Sequence, residues 1–216
     1  MSLAFHGGTA RTPIASPYGA STRYDGSQRR VGGAGGAHGG IDLTLADGTP
    51  LLAVAPGVVF NMGVGGMMEG IFLWLAHLPQ RTGLPFAFLS KYQHLRELPK
   101  LDIGAPVLLG QPVAFSGRTG TTGGHYGVVS YPHLHLTLRA VAGDKLNLLE
   151  SGGDQFRIPR DSVLMDPLTI YLPELGSPAE AMGLPEERKR ITVGYVGGDG
   201  LIQPSGSKSF WPVACR

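Results

Sequence analysis

Residues 133–140, His133-Leu134-His135-Leu136-Thr137-Leu138-Arg139-Ala140, alternate polar and apolar side chains almost without a break. A β-strand sends successive side chains to opposite faces. His133, His135, Thr137 and Arg139 therefore share one face, and Leu134, Leu136 and Leu138 share the other. The leucine face needs a core to pack on, so this strand belongs to a sheet with one buried side. The other side presents two imidazoles two residues apart.

The chain outward from this strand reads in the same way. Ile41-Asp42-Leu43-Thr44-Leu45 alternates with period two, and Ala46 to Pro50 is a turn in which Asp47-Gly48 is a hairpin signal. Leu51–Val54, Val58–Phe60, Ile71–Leu75, Phe86–His94, Val107–Leu109 and Pro112–Ser116 read as further strands, Ile71–Leu75 as a buried one. Pro56-Gly57 and Thr82-Gly83-Leu84-Pro85 read as turns, and Gly117 to Tyr131 as a Gly/Thr-rich loop. No segment sustains a helical period; Pro178–Met182 and Glu186–Arg190 are the short candidates. Ile191–Val196 and Leu201–Gln203 flank Gly197-Gly198-Asp199-Gly200 as a hairpin. The fold class is mainly β, a predominantly antiparallel sheet domain with a C-terminal β extension. Residues 1–30 read as an irregular lead-in that includes one short strand, 31–172 as the main domain and 173–216 as the extension.

Composition bounds the function. A chain of 216 residues with 42% apolar content supports one sizeable core. Its 34 glycines and 17 prolines are spread between apolar runs, which signals turns rather than disorder. A net charge of +2 makes no case for a nucleic-acid partner. The one basic cluster, Arg188-Lys189-Arg190, is offset by Glu186 and Glu187. The single cysteine, Cys215, forms no internal disulfide and offers no thiolate metal site. No apolar run reaches the roughly 18 residues of a membrane span. No secretory signal is read at the N-terminus, and if Met1-Ser2-Leu3 is an added start, its absence here decides nothing about export.

Two histidine motifs carry the chemistry. His38-Gly39-Gly40-Ile41-Asp42 sets an imidazole and a carboxylate four apart. The glycines around it each cost about 1 kcal/mol in a helix interior, so the segment is a turn or strand on which i and i+4 share a face. His133 and His135 add two imidazoles. A catalytic zinc is held by three protein ligands from His, Asp, Glu or Cys and keeps a fourth position for water. The inventory thus points to metal-assisted hydrolysis. The residues alone leave two arrangements open: both histidines as ligands, or one as ligand and one as a free general base. Taken singly, His94 and His77 each read as a histidine at the surface end of a strand.

The ordered set of motifs resembles the M23 metallopeptidases, the lysostaphin/LytM-type peptidoglycan endopeptidases. It comprises His38 to Leu43, Asp47-Gly48-Thr49-Pro50, Ala55 to Val59, Tyr92-Gln93-His94-Leu95, Gly110 to Val113, Ser116 to Gly120 and Pro132-His133-Leu134-His135. The resemblance spans about residues 30–140, and Met165-Asp166-Pro167-Leu168 resembles the family's domain end. It implies an antiparallel sheet forming a groove, with one Zn²⁺ per chain held by His38, Asp42 and His135. It implies His94 and His133 as the catalytic pair, with the division of labour between them unassigned. It implies a peptidoglycan peptide as substrate, and so a periplasmic or secreted protein.

Two departures stand out. Residues 121–131 form a longer loop than the family usually has before Pro132, placing His125, Tyr126 and Tyr131 as candidate substrate contacts or a groove cover. Thr137 stands where an acidic residue is common, next to the zinc ligand set. Two rival readings follow from the same resemblance. One is a non-catalytic or gated module that binds cell wall or activates an amidase; the survival of all five histidine and aspartate positions argues for an enzyme instead. The other is a zinc protease acting on glycine-rich proteins. Oligomeric state is not legible in the sequence.

Overall fold

The computed structural model describes residues 2–4, 14–23, 26–29, 35–121, 131–141, 158–172, 175–182, 184–185, 190–197 and 199–214. The alternation along residues 133–141 is realised as the longest strand of an antiparallel sheet. In chain order the strands are β1 (Ser2–Ala4), β2 (Ile14–Ser16), β3 (Ile41–Thr44), β4 (Pro50–Leu52), β5 (Gly57–Val64), β6 (Ile71–His77), β7 (Ala87–Gln93), β8 (Pro106–Val107), β9 (Pro112–Phe115), β10 (His133–Val141), β11 (Val163–Met165), β12 (Arg190–Thr192), β13 (Tyr195–Val196) and β14 (Ile202–Gln203). The main sheet runs β2-β3-β10-β7-β6-β5-β8, and β11 continues beside β10 beyond β3. β10 is thus hydrogen-bonded along both edges, as its leucine face requires.

The sheet is buried on both sides where its strands are continuously apolar. Along β6, Leu73 and Leu75 enter the main core while Trp74 and Ala76 enter a smaller cluster on the opposite face. On β7, Phe88 faces the main core, and Ala87 and Leu89 face the other side. Leu134, Leu136 and Leu138 of β10 all lie in the main core, so the histidine face looks away from it.

Two expectations need correction. Asp47-Gly48 does turn the chain, with Gly48 in the left-handed region (φ 81), but it does not make a hairpin. Both edges of β3 are already taken by β2 and β10, so β4 leaves the main sheet and pairs with β9. Ser116 fixes this departure: its hydroxyl donates to Ala46 O at 2.7 Å and accepts from Thr49 N at 3.0 Å. His77 is not a surface histidine. It is fully buried, stacked on Phe88, and hydrogen-bonded to Pro56 O (3.1 Å) and Ser90 Oγ (2.8 Å).

Helix is confined to short pieces, as the sequence pattern predicts. α1 (Pro79–Thr82) starts on a proline and ends on left-handed Gly83, and α2 spans Pro178–Met182. The helix considered at 186–190 falls outside the described residues except for Arg190, which begins β12. A 3₁₀ turn over Pro167–Tyr171 is capped by Asp166, whose carboxylate accepts from Leu168 N at 2.9 Å.

The C-terminal segment packs onto the same core. Ile191, Val193, Tyr195, Trp211 and Val213 join the main cluster. Leu52 N donates to Pro212 O, and Phe210 N to Val54 O, both at 2.7 Å. β13 and β14 form the expected hairpin, and β12 pairs in parallel with β1.

Candidate metal centre and active site

The site lies where β3, β7 and β10 meet, on the face away from the leucine core. Register brings Asp42 of β3 directly opposite His135 of β10, whose other neighbour is Gln93 of β7. His38 approaches from the turn before β3. Gly40 permits that approach, because a Cβ there would collide with the Leu136 carbonyl. His94 sits just past β7 and His133 opens β10.

Three donor atoms converge. His135 Nδ1 lies 2.7 Å from Asp42 Oδ1, His38 Nε2 lies 3.2 Å from that oxygen, and the two nitrogens are 3.0 Å apart. A tetrahedral zinc about 2.0–2.2 Å from each donor needs them roughly 3.3 Å apart. The set is slightly tighter than that and of the right chemistry. Among the described residues, His38, Asp42 and His135 form the group able to hold a metal ion.

The surrounding contacts fix which nitrogen each ring presents. His38 Nδ1 lies 3.0 Å from Pro17 O and 3.2 Å from Ser16 Oγ. A carbonyl can only accept, so Nδ1 carries the proton and Nε2 keeps its lone pair for the centre. His135 is turned the other way, with Nδ1 in the centre and Nε2 3.0 Å from Thr137 Oγ1. Such outer contacts orient ligating imidazoles.

His94 and His133 stand beside this group. Their ring centroids are 4.7 Å apart, and His94 is 6.1 Å from His135. His94 Nδ1 donates to Thr119 O at 2.8 Å and His133 Nδ1 to Tyr131 O at 3.0 Å. Each ring therefore leaves Nε2 unprotonated when neutral. His94 adopts φ 63, the single non-glycine residue in the left-handed region among the described residues. Such a backbone costs about 1 kcal/mol or more and is typical of functional positions.

Burial and neighbouring charge shape the titration. Burial raises the Asp42 carboxyl, but its close contacts with the His135 and His38 imidazoles outweigh it and hold the group well below the usual carboxylate range. Burial pushes His94 down to about 3, helped by repulsion from His133 and His135, so it is neutral near pH 7. Burial also lowers His135, against the opposing pull of Asp42.

All five residues line one open cleft of about 160 Å³, together with Tyr131, which stacks on His133 at 4.8 Å. His125 and Tyr126 lie outside the described residues. The sequence reading did not single out four other lining side chains: Arg23 and Arg29 from the N-terminal segment, Met68 from the β5–β6 loop, and Gln93. Gln93 could have been noticed, being the residue just before His94 on a strand whose odd positions lie on the face away from the main core. Arg23 and Arg29 sit in a stretch with no periodicity.

A metal-binding donor set in a β-sheet cleft, flanked by two tethered imidazoles, defines a candidate metal-dependent hydrolase. The chain belongs to peptidase family M23, which matches residues 36–148. It is similar to an uncharacterised metalloprotease of Haemophilus influenzae, at 26% identity over 198 residues, 91% of this chain and 34% of that protein. It is also similar to one of Buchnera aphidicola, at 30% identity over 98 residues, 45% of this chain and 22% of that protein. The chain thus spans about a third of the length of the first relative and about a fifth of the second. Among solved structures, the catalytic domain of the antimicrobial peptidase lysostaphin from Staphylococcus simulans aligns with a TM-score of 0.46 at 22% identity, covering 72% of this chain and 90% of that one.

Proposed function

We propose that this chain is a zinc-dependent endopeptidase that hydrolyses peptide bonds in bacterial peptidoglycan, acting outside the cytoplasm. The observation that carries the reading is the convergence of His38, Asp42 and His135 beside two further imidazoles, His94 and His133, of which His133 Nε2 lies 3.9 Å from Asp42 Oδ1. Residues 31–172 would form the peptidase domain, with 173–216 as an extension packed on its core.

In this reading His38, Asp42 and His135 hold one Zn²⁺, which supplies Lewis acidity toward water and toward the scissile carbonyl. Asp42 stays ionised throughout the neutral range, matching the charge of a cation. His94 and His133 present Nε2 lone pairs, their Nδ1 protons being tied to the Thr119 and Tyr131 carbonyls. Such a pair can accept a proton from the attacking water and return one to the leaving amine. A protonated ring of the pair can also hydrogen-bond a developing oxyanion.

The test is digestion of purified sacculi with and without a zinc chelator, read by mass spectrometry of the muropeptides. Cross-linked dimers should fall to monomers only without chelator. Dimers that survive exposure to the zinc-loaded protein would favour a binding or gated module instead.

A further inference from the structure

The N-terminal segment is part of the cleft. β2 pairs with β3 through Ile14↔Leu43 and Ser16↔Asp42, which anchors it one strand away from the metal centre. The chain then folds back on itself at the Thr22↔Gln28 bridge, and this small turn carries Arg23 and Arg29 to the cleft wall. Both guanidiniums are held in place. Arg23 Nη1 donates to Gln28 O at 2.7 Å and to Ser27 Oγ at 3.2 Å. Arg29 donates through Nη2 to Ser16 Oγ at 2.9 Å and through Nε to Thr22 O at 3.3 Å.

The charge balance of the cleft is uneven. Arg23 and Arg29 line the same cleft from the turn closed by the Thr22↔Gln28 bridge. Among the described lining residues the one carboxylate is Asp42, whose Oδ2 is 3.8 Å from Arg29 Nη2. Its Oδ1 is already committed to His38 and His135. A divalent cation bound there would leave the two guanidiniums with still less compensation. Across the cleft, Met68 and Gln93 are neutral. Two like charges fixed side by side at the rim of a reaction site suit an anion, and the planar fork of arginine suits a carboxylate.

We propose that Arg23 and Arg29 form a carboxylate subsite that selects peptides carrying a free carboxylate close to the scissile bond. The proposal rests on the endopeptidase reading and deepens it. An uncharged glycine bridge offers these arginines nothing, whereas a cross-link between stem peptides with free carboxyl groups does. The N-terminal turn is then a specificity element, and removing it would change which bond is cut.

The test uses two synthetic cross-linked stem-peptide dimers, one with free carboxyl groups and one with the same groups amidated. The wild-type full chain should show a kcat/KM about tenfold or more higher for the acid, the size of a charge-assisted hydrogen bond. In Arg23→Gln and in the double variant Arg23→Gln/Arg29→Gln the ratio should collapse toward one; Arg29→Lys should keep part of it. A ratio absorbs any general loss of turnover, so damage to the Ser16–His38 contact does not mimic the effect. Equal cutting of both dimers by wild type, or a ratio that survives in the double variant, overturns the subsite. If zinc-loaded protein cuts neither dimer, the endopeptidase reading has failed, and the affinity of the metal-free full chain for the labelled dimers decides the subsite alone. Tighter binding of the acid form that is lost in the double variant supports it, and equal binding of the two forms refutes it.

Discussion

Replacing Thr137 by valine tests the outer support of the metal centre with little change of shape. Thr137 is 8% exposed and its Oγ1 lies 3.0 Å from His135 Nε2. When the hydroxyl accepts the Nε2 proton, the ring is fixed with its Nδ1 lone pair toward Asp42 and His38. Valine keeps the branched shape but removes the acceptor, leaving a buried N–H without that partner. The cost of such an orphan is about 1–3 kcal/mol. Loss of an outer partner of a metal ligand typically lowers affinity about 10–100-fold, which is the same range of about 1.4–2.7 kcal/mol. Zinc affinity, measured by competition with a chelating dye at fixed pH, should therefore fall by one to two orders of magnitude in Thr137→Val. The circular dichroism spectrum should be unchanged. An affinity within twofold of wild type would refute the reasoning, since the His135 ring would then be held without Thr137.

Other perturbations separate the remaining roles. His38→Ala, Asp42→Ala and His135→Ala should each lose bound zinc and turnover together, measured by elemental analysis and muropeptide release. His94→Ala and His133→Ala should keep zinc and lose about 10²–10⁴-fold in kcat; zinc loss in His133→Ala like that of His135→Ala would show the ligand set to be wrong. Burial of His77 pushes its imidazole down to about 4 in the folded chain, against about 6.5 unfolded. The unfolded state thus binds more protons, so this stability is present above about pH 6.5 and lost as pH falls through about 4, by roughly 3 kcal/mol. Chemical denaturation from pH 7 to 4 should show the loss, and His77→Gln should reduce it by about that amount, leaving the parts due to the other buried histidines. Tyr92→Phe removes a buried hydroxyl that donates to Leu52 O and accepts from Val54 N, both at 2.9 Å. It should cost about 2–4 kcal/mol, seen as a lower denaturation midpoint with an unchanged slope.

The sheet was legible wherever one face is apolar and the other is not. β10 showed its faces by strict alternation, and the paired motifs at 38–42 and 133–135 were readable because each is local. What joined them was not local: Asp42 meets His135 through the register of β3 against β10. His77 and His94 carry the same local signal, a histidine closing an apolar strand, yet they part in the fold. His77 turns inward onto Phe88 and Ser90, while His94 flips into the left-handed region toward Thr119. The hairpin signal at Asp47-Gly48 failed because a turn sequence says nothing about which strand edges are already occupied. Arg23 and Arg29 were invisible for a similar reason, since a Gly-, Ser- and Arg-rich stretch has no period and is placed only by the pairing of β2 with β3.

The proton positions in the site follow from where each histidine stands in the fold. His38 and His94 flank strands and His133 is the first residue of β10, and each ties Nδ1 to a carbonyl outside the main sheet: Pro17, Thr119 and Tyr131. All three therefore offer Nε2. His135 lies within β10, where its backbone is committed to the ladder on both sides, and it offers Nδ1 instead, with Nε2 against Thr137. The strand sets where the donors sit, and the adjoining loops set which atoms carry protons. The Thr119 loop is itself braced, since Thr119 Oγ1 accepts from Ile71 N at 2.9 Å and donates to Leu95 O at 2.7 Å. Gly70 lies against the same residue, too close for a Cβ to fit. A substitution such as Thr119→Val would thus leave every metal donor in place and loosen the carbonyl that orients His94. Its signature would be lower kcat with unaltered zinc affinity, the opposite split from Thr137→Val.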